Sequence, residues 1–487
     1  MLSNVQINQI ETKLCFFIWI STVTYSIYRF TVTSQKYFHT YTDNYDDFIQ
    51  GWSFMRPMKR DKADFEWETI GYFIHSICPT IICYLIVHKI VEAYLKSIKI
   101  RQFLQVAFSL VFLMYFFGLK VTFLVLLEPI FFYFAAKFHK TFVVWICSIV
   151  CLSLISLYKQ ICATEEFLKS LNLNYFQASL NISVLCWMNL KCTSFCLNES
   201  KMGLNYWSYC MYFPTLLTGP FIPYKDYENM FKTHYNLRQK AVNLTKNVIL
   251  CLFWWSFSNF WLHFIYINAT GFQLELVKQM DLCSLCGYGY LMGQFFHIKY
   301  VVFYGLSTSL AAFDGAVVPR LPRCIGRIHL YSDMWKYFDP GLYDFLKICI
   351  FIPTQNYGLP KMGASLLCFS FVYAWHGIED YIFVWALLNF CGIFIEHFAE
   401  VVFVHFNLKL YVNAGNLQRL KCAFAAPLLA MSAVSNFYFF AGLDIGNAFA
   451  HKFISEPIFN QFMVLFVLYC CGKVSIECRN IQARKMY

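Results

Sequence analysis

The residues best suited to chemistry in this 487-residue chain are a few ionisable groups set in apolar sequence. Burying such groups is costly, so they are rare inside apolar segments and become candidates for function. His376 stands in the run Leu366-Leu367-Cys368-Phe369-Ser370-Phe371-Val372-Tyr373-Ala374-Trp375-His376-Gly377. The run predicts an apolar helix opening near Met362, with the imidazole near its middle, roughly 20 Å along at 1.5 Å per residue. A neutral imidazole can take a proton from an attacking nucleophile near neutral pH. It can equally be a hydrogen-bonded packing residue. Gly377 removes a side chain beside it, leaving room for a long acyl chain. Asp339, in Trp335-Lys336-Tyr337-Phe338-Asp339-Pro340-Gly341, precedes a proline that opens a helix or turn. Its carboxylate is either a cap or a group that orients a reacting amine or imidazole.

Around Asp339 the chain is basic: Arg320, Arg323, Arg327 and Lys336 meet no acid before Asp333. Such a patch could hold the phosphates of a nucleotide-containing acyl donor, and a plain cytosolic basic loop explains it nearly as well. Cys324, beside Arg323, is either a thiolate ligand or nucleophile, or a packed or lipidated surface cysteine. Asn436 lines a cavity or bonds a neighbouring helix. Cys283 and Cys286 form a CxxC without a second pair, which is weak evidence for zinc. The GxSxG, HExxH and GxxxxGK[ST] signatures are absent, as is Asp-His-His-Cys, so hydrolase, metalloprotease and ATP-driven pump readings lose weight.

These groups must be positioned by a membrane protein. Apolar residues are 59% and charged residues 14% of the chain, with 54 Phe, 33 Tyr and 12 Trp; soluble domains carry about 25% charge. The net charge of +11 fits loops that collect Lys and Arg on the cytosolic face, and no basic tract or motif points to nucleic acid. The 21 Cys are scattered, many in apolar runs, where they act as small hydrophobes. Apolar stretches near 14–30, 70–88, 102–118, 119–136, 142–158, 246–267, 295–312, 362–388, 390–406, 422–441 and 459–472 are long enough to cross roughly 30 Å of hydrocarbon. The expected architecture is an all-α polytopic membrane helix bundle of about ten to twelve segments with a central cavity or tunnel, residues 1–487 forming one multi-pass domain. Segments 206–223 and 342–353 are short and broken by Pro214, Gly219, Pro220, Pro340 and Pro353. They are expected to be re-entrant and covered by protein, or else proline-kinked helices. Lys89, Lys96, Lys99 and Arg101 mark a cytosolic loop, which puts residues 31–68 in the lumen as a folded loop. Arg484 and Lys485 resemble an endoplasmic-reticulum retrieval signal. No internal repeat supports a transporter.

The ordered set Trp335 to Gly341, Pro353 and Tyr373-Ala374-Trp375-His376-Gly377, on this architecture, resembles the membrane-bound O-acyltransferases. Asp64-Phe65-Glu66-Trp67, Tyr209 to Pro214 with Gly219-Pro220, and Pro322-Arg323-Cys324 resemble the hedgehog acyltransferase branch, with residues 200–440 the most specific. The resemblance implies transfer of palmitate from palmitoyl-CoA, with no nucleotide cofactor, to the α-amine of the N-terminal cysteine of a secreted Hedgehog-type protein. The site would be in the endoplasmic reticulum or Golgi membrane. His376 and Asp339 would be catalytic, Trp335 and Asn436 would line the acyl-CoA site, and Cys324 matches a position associated with haem b. Other acceptors in the family would be a serine hydroxyl or a lipid alcohol. The reading from another class is a non-catalytic scaffold or transporter.

Overall fold

The computed structural model describes residues 4–41, 46–199, 202–232, 236–324, 326, 328, 330–407 and 411–485. Twelve long helices carry the fold: α1 Asn4–Tyr41, α2 Phe65–Tyr94, α3 Ile98–Phe117, α4 Leu119–Ala136, α5 Thr141–Ile161, α6 Tyr175–Asn198, α7 Leu237–Trp261, α8 Leu282–Asp314, α9 Lys361–His376, α10 Asp380–His405, α11 Ala414–Ser455 and α12 Ile458–Lys485. Eight of these, α2 to α6 and α10 to α12, are long and apolar enough to cross a membrane. Strand is confined, among the described residues, to an antiparallel hairpin of β1 Phe48–Gln50 and β2 Lys59–Asp61. The molecule is thus an all-α polytopic membrane bundle, as the composition requires.

Helix ends follow local chemistry. Asp64 opens α2 by accepting from Trp67 N, Asn174 and Gln177 form a reciprocal capping box on α6, and Asp281 accepts from Ser284 N on α8. Each satisfies an amide the first helical turn leaves unpaired. Proline lies inside α2, α4 and α11 as Pro79, Pro129 and Pro427, and α11 breaks at Gly442 (φ +80°).

Three differences from the sequence reading have physical causes. The stretch 362–388 is two elements, because Gly377 at φ +123° ends α9 at His376; the imidazole closes a helix instead of sitting at its middle. Helix α6 went unrecognised. It carries Asn181, Asn189 and Lys191, and 72% of its most apolar 18-residue stretch is buried within the protein, against 22–39% in the other seven. Three of its polar side chains donate into protein: Asn181 to the Tyr158 hydroxyl, Asn189 to Glu128, and Lys191 to the Thr215 carbonyl. The stretch 31–68 is part helix, since α1 continues to Tyr41, and part folded segment. There Arg60 bonds Glu68 and Asn259, and Asp61 N donates to Leu262 O.

Of the two broken segments the first is irregular backbone covered by protein, as expected, whereas the second is helical throughout, with Ile348 and Ile352 exposed. Residues 206–222 run through a short helix, Leu204–Cys210, and a turn, with Tyr206, Tyr209, Tyr212, Phe213, Leu217 and Phe221 all buried. The second passes from helix Pro340–Phe345 into a wider turn at Leu346–Phe351. The segments pack on each other: a Cβ at Gly341 would lie 2.7 Å from Phe221 O, so only glycine fits, and the Phe221 and Phe345 rings are 5.3 Å apart.

Candidate active site

A cavity of ≈ 260 Å³ lies where α2, α6, α8, α9, α10 and α11 meet the short helices Tyr331–Phe338 and Pro340–Phe345. His376, Asp339, Trp335 and Asn436 all form part of its wall. Residues far apart in sequence, from Glu66 to Phe440, therefore face one space. Among the described residues no lysine or arginine belongs to this wall; its ionisable groups are Glu66, Asp339, His376 and the phenols and thiol of Tyr300, Tyr304, Tyr343 and Cys186.

His376 is fixed by aromatic edges. Its ring stands edge-on to Trp375, Trp385 and Phe439 at centroid distances of 4.8, 5.3 and 5.2 Å. Among the described residues no side chain or backbone group hydrogen-bonds the imidazole, so its nitrogens remain free to exchange a proton with whatever enters the cavity. Trp375 is in turn anchored by Nε1 donating to Cys186 O at 3.1 Å. Gly377 serves a different end from the one the sequence suggested. Its φ of +123° is open to glycine and costly for other residues, and it terminates α9 where the imidazole must stand.

Asp339 is at once a cap and a wall residue. Oδ1 accepts from Leu342 N at 2.9 Å, and Oδ2 accepts from the Tyr304 hydroxyl at 2.7 Å. The capping bond fixes the carboxylate on the first turn of Pro340–Phe345, and the tyrosine, donated by α8, fixes its orientation. Trp335 donates from Nε1 to Asn389 Oδ1 (3.3 Å) and packs on Phe369 and Trp385. Asn436 accepts from Trp385 Nε1 at 3.4 Å. Asn389, Trp385, Tyr304 and Glu66 are wall residues that the sequence reading did not select. Their signal is spatial, since each is ordinary in its own helix.

Ser183 and Cys186, one turn apart on α6, also line the cavity. They are hydroxyl and thiol candidates beside His376 that the failure to find α6 concealed. Cys368, on the same helix as His376, lies outside this wall, with its thiol toward Leu346 O.

The basic residues sit apart from the cavity. Arg323 lies over the Tyr337 ring at 3.9 Å, Lys336 over the same ring at 5.3 Å, and Arg320 is exposed. Arg327 falls outside the described residues. Cys324 Sγ donates to Gln294 Oε1 at 3.6 Å. Among the described residues no group of three or more His, Cys, Asp or Glu could hold a metal ion.

A second cavity, ≈ 740 Å³, lies between α1, α8, α11 and α12 and shares Gly293, Met334, Asn436 and Phe440 with the first.

Comparison with known proteins agrees with this geometry. The model of the membrane-bound O-acyltransferase family matches residues 129–436, which include every cavity residue except Glu66, Phe439 and Phe440. The chain is 31% identical over 453 residues to protein-cysteine N-palmitoyltransferase Rasp of Drosophila melanogaster, covering 87% of this chain and 86% of that one. It is 26% identical over 447 residues to protein-cysteine N-palmitoyltransferase HHAT of Mus musculus, covering 86% and 88%. It is 23% identical over 300 residues to membrane-bound O-acyltransferase GUP1 of Millerozyma farinosa, covering 58% and 56%. The chain is an acyltransferase and belongs to the membrane-bound O-acyltransferase family.

Proposed function

We propose that this enzyme moves palmitate from palmitoyl-CoA to the α-amine of the N-terminal cysteine of a secreted Hedgehog-type signalling protein, in the endoplasmic reticulum or Golgi membrane. The observation that carries the reading is the shared cavity of His376 and Asp339, with two carboxylates and no lysine or arginine in its wall. Relatives named as protein-cysteine N-palmitoyltransferases over most of the chain support the donor and acceptor classes. The chain is read as one catalytic unit.

An acceptor ammonium has to lose two protons to become an amide. His376 takes the first, exposing the lone pair for attack. The nitrogen attacks the thioester carbonyl, the C–N bond forms as the C–S bond breaks, and the departing CoA thiolate takes the second proton. Asp339, held by Leu342 N and Tyr304, orients the amine. Trp335 and Asn436 bound the acyl chain in an apolar space that keeps water from the thioester. The neighbouring cavity behind Asn436 extends that space. Arg320, Arg323, Arg327 and Lys336 would receive the CoA phosphates. A haem b held here would take Cys324 as its thiolate, but the Cys324 Sγ bonds Gln294 Oε1 and neither residue belongs to a cavity wall, so the setting does not fit the group, and redox-neutral acyl transfer draws no step from it.

The test incubates detergent-purified protein with labelled palmitoyl-CoA and a peptide bearing a free N-terminal Cys, beside an N-acetylated copy and an N-terminal Ser copy. Thioester-cleavage-resistant label on the free-Cys peptide alone is expected. Label on the Ser hydroxyl or on a lipid alcohol would move the acceptor elsewhere in the family, and label on none would favour a scaffold.

A further inference from the structure

Glu66 is the cavity residue that the mechanism above leaves unused. It lies on the first turn of α2, directly after the folded segment that carries β1 and β2. Its carboxylate forms part of the wall that holds Asp339 and His376, and its side chain keeps 42% exposure, facing open space. Oε2 pairs with Lys299 Nζ at 2.7 Å, and Oε1 accepts from the Tyr300 hydroxyl at 3.3 Å. Lys299, almost fully buried, also pairs with Asp64 at 2.9 Å. One cation thus serves two carboxylates, and the cluster keeps an excess negative charge at the cavity wall. Tyr300 and Tyr304, with ring centroids 5.2 Å apart, lie between this cluster and Asp339. A cationic head group entering the cavity meets Glu66 and Asp339; among the described residues no lysine or arginine belongs to the wall, and Lys299, the cation that Glu66 pairs with, is shared with Asp64. A hydroxyl or a lipid alcohol has no charge to gain from either.

We propose that Glu66 binds the α-ammonium of the acceptor and so selects amines over hydroxyls, an inference that rests on the acyl-transfer reading above. The ammonium is held against Glu66 until it reaches His376, and Asp64 keeps Lys299 neutralised when Glu66 turns to the substrate. Asp64 also makes the decisive variant safe: in Glu66→Gln the buried Lys299 ammonium retains a carboxylate.

The experiment measures KM for a free-N-terminal-Cys peptide in the native chain, in E66Q and in E66D. Beside it runs the inhibition constant of a des-amino analogue in which hydrogen replaces the α-amine. A charge-assisted hydrogen bond corresponds to a roughly tenfold to hundredfold rise in KM for E66Q, with E66D recovering part of it. The inhibition constant of the des-amino analogue should be the same in all three proteins, since it has no ammonium to hold. An unchanged KM in E66Q, or a des-amino constant that weakens in parallel, overturns the role of Glu66 and leaves amine acylation standing. A native chain that acylates no free amine overturns the acyl-transfer reading itself, and this inference with it.

Discussion

His376 and Asp339 occupy one wall while making different demands on substitution. The imidazole bonds nothing among the described residues, so His376→Ala removes no structural bond. Transfer to the amine should fall by roughly 10²–10⁴-fold with expression and thermal midpoint preserved. Near-native turnover in purified H376A would end its role as base. Asp339 also caps a helix, so Asp339→Ala should lose activity and about 1 kcal/mol of stability; Asp339→Asn, which can still cap, separates the two effects. Direct attack predicts that Ser183→Ala and Cys186→Ala each keep most of their activity, although both face the cavity. Loss of turnover in C186A, with a labelled acyl-enzyme trapped on the native thiol, would replace direct transfer with a covalent intermediate. At this scale the sequence pointed to His376, Asp339 and Asn436 as polar groups in or beside apolar runs, and to Trp335 through the family resemblance; the structure brings all four to one wall. Asn389 and Tyr304 were not legible, and Glu66 stood out only as part of the Asp64–Trp67 stretch, without a role. Each is unremarkable along its own helix and gains meaning only from neighbours far away in the chain.

At the scale of elements, the site depends on where helices stop. Gly377 ends α9 with φ +123°, and a Cβ there would meet only Glu379 and Lys159 at 3.7 and 3.8 Å. Space is available; the backbone angle is the constraint. Gly377→Ala should therefore cost roughly 1–3 kcal/mol and lower turnover by displacing His376, which thermal melts and kinetics on the same preparation would register. The segment carrying β1 and β2 supplies a pH effect. Asp61 is wholly buried, and desolvation lifts its carboxyl from 3.8 to about 7 although Ala63, Asn268 and Ala269 donate backbone N–H bonds to it. A raised acid pKa means that its contribution to stability is full below about pH 4 and is lost as pH rises through about 7. The native chain should lose thermal stability over that window relative to Asp61→Asn. Parallel curves would show that Asp61 is ionised throughout. Hydropathy revealed most helices because it detects surfaces that face lipid. It failed for α6, whose Asn181, Asn189 and Lys191 face protein, and it fused α9 with the start of α10 because an angle at one glycine leaves no mark on composition.

For the whole molecule, the proposed reaction makes opposite demands on the bilayer. Palmitoyl-CoA carries phosphates that do not cross hydrocarbon, and the secreted acceptor of that proposal would lie on the far side. The 30-residue helix α2 separates the basic turn after it (Lys96, Lys99, Arg101) from the segment before it. The cavity wall includes Glu66 from the first turn of α2 and, from the stretch that follows the basic Arg320–Arg323 region, Trp335 and Tyr343. An amine entering past Glu66 and a thioester entering past Trp335 would then meet at His376 without either polar group traversing lipid. Proteoliposomes with acceptor peptide sealed inside and palmitoyl-CoA supplied outside should form amide product in the fraction of enzyme whose basic face is outward. Arg323→Glu should raise KM for palmitoyl-CoA alone, since Arg323 lies over Tyr337 and outside the cavity wall. Product that appears only after detergent breaks the vesicles would mean that both substrates approach from one side, and the tunnel would have to be abandoned.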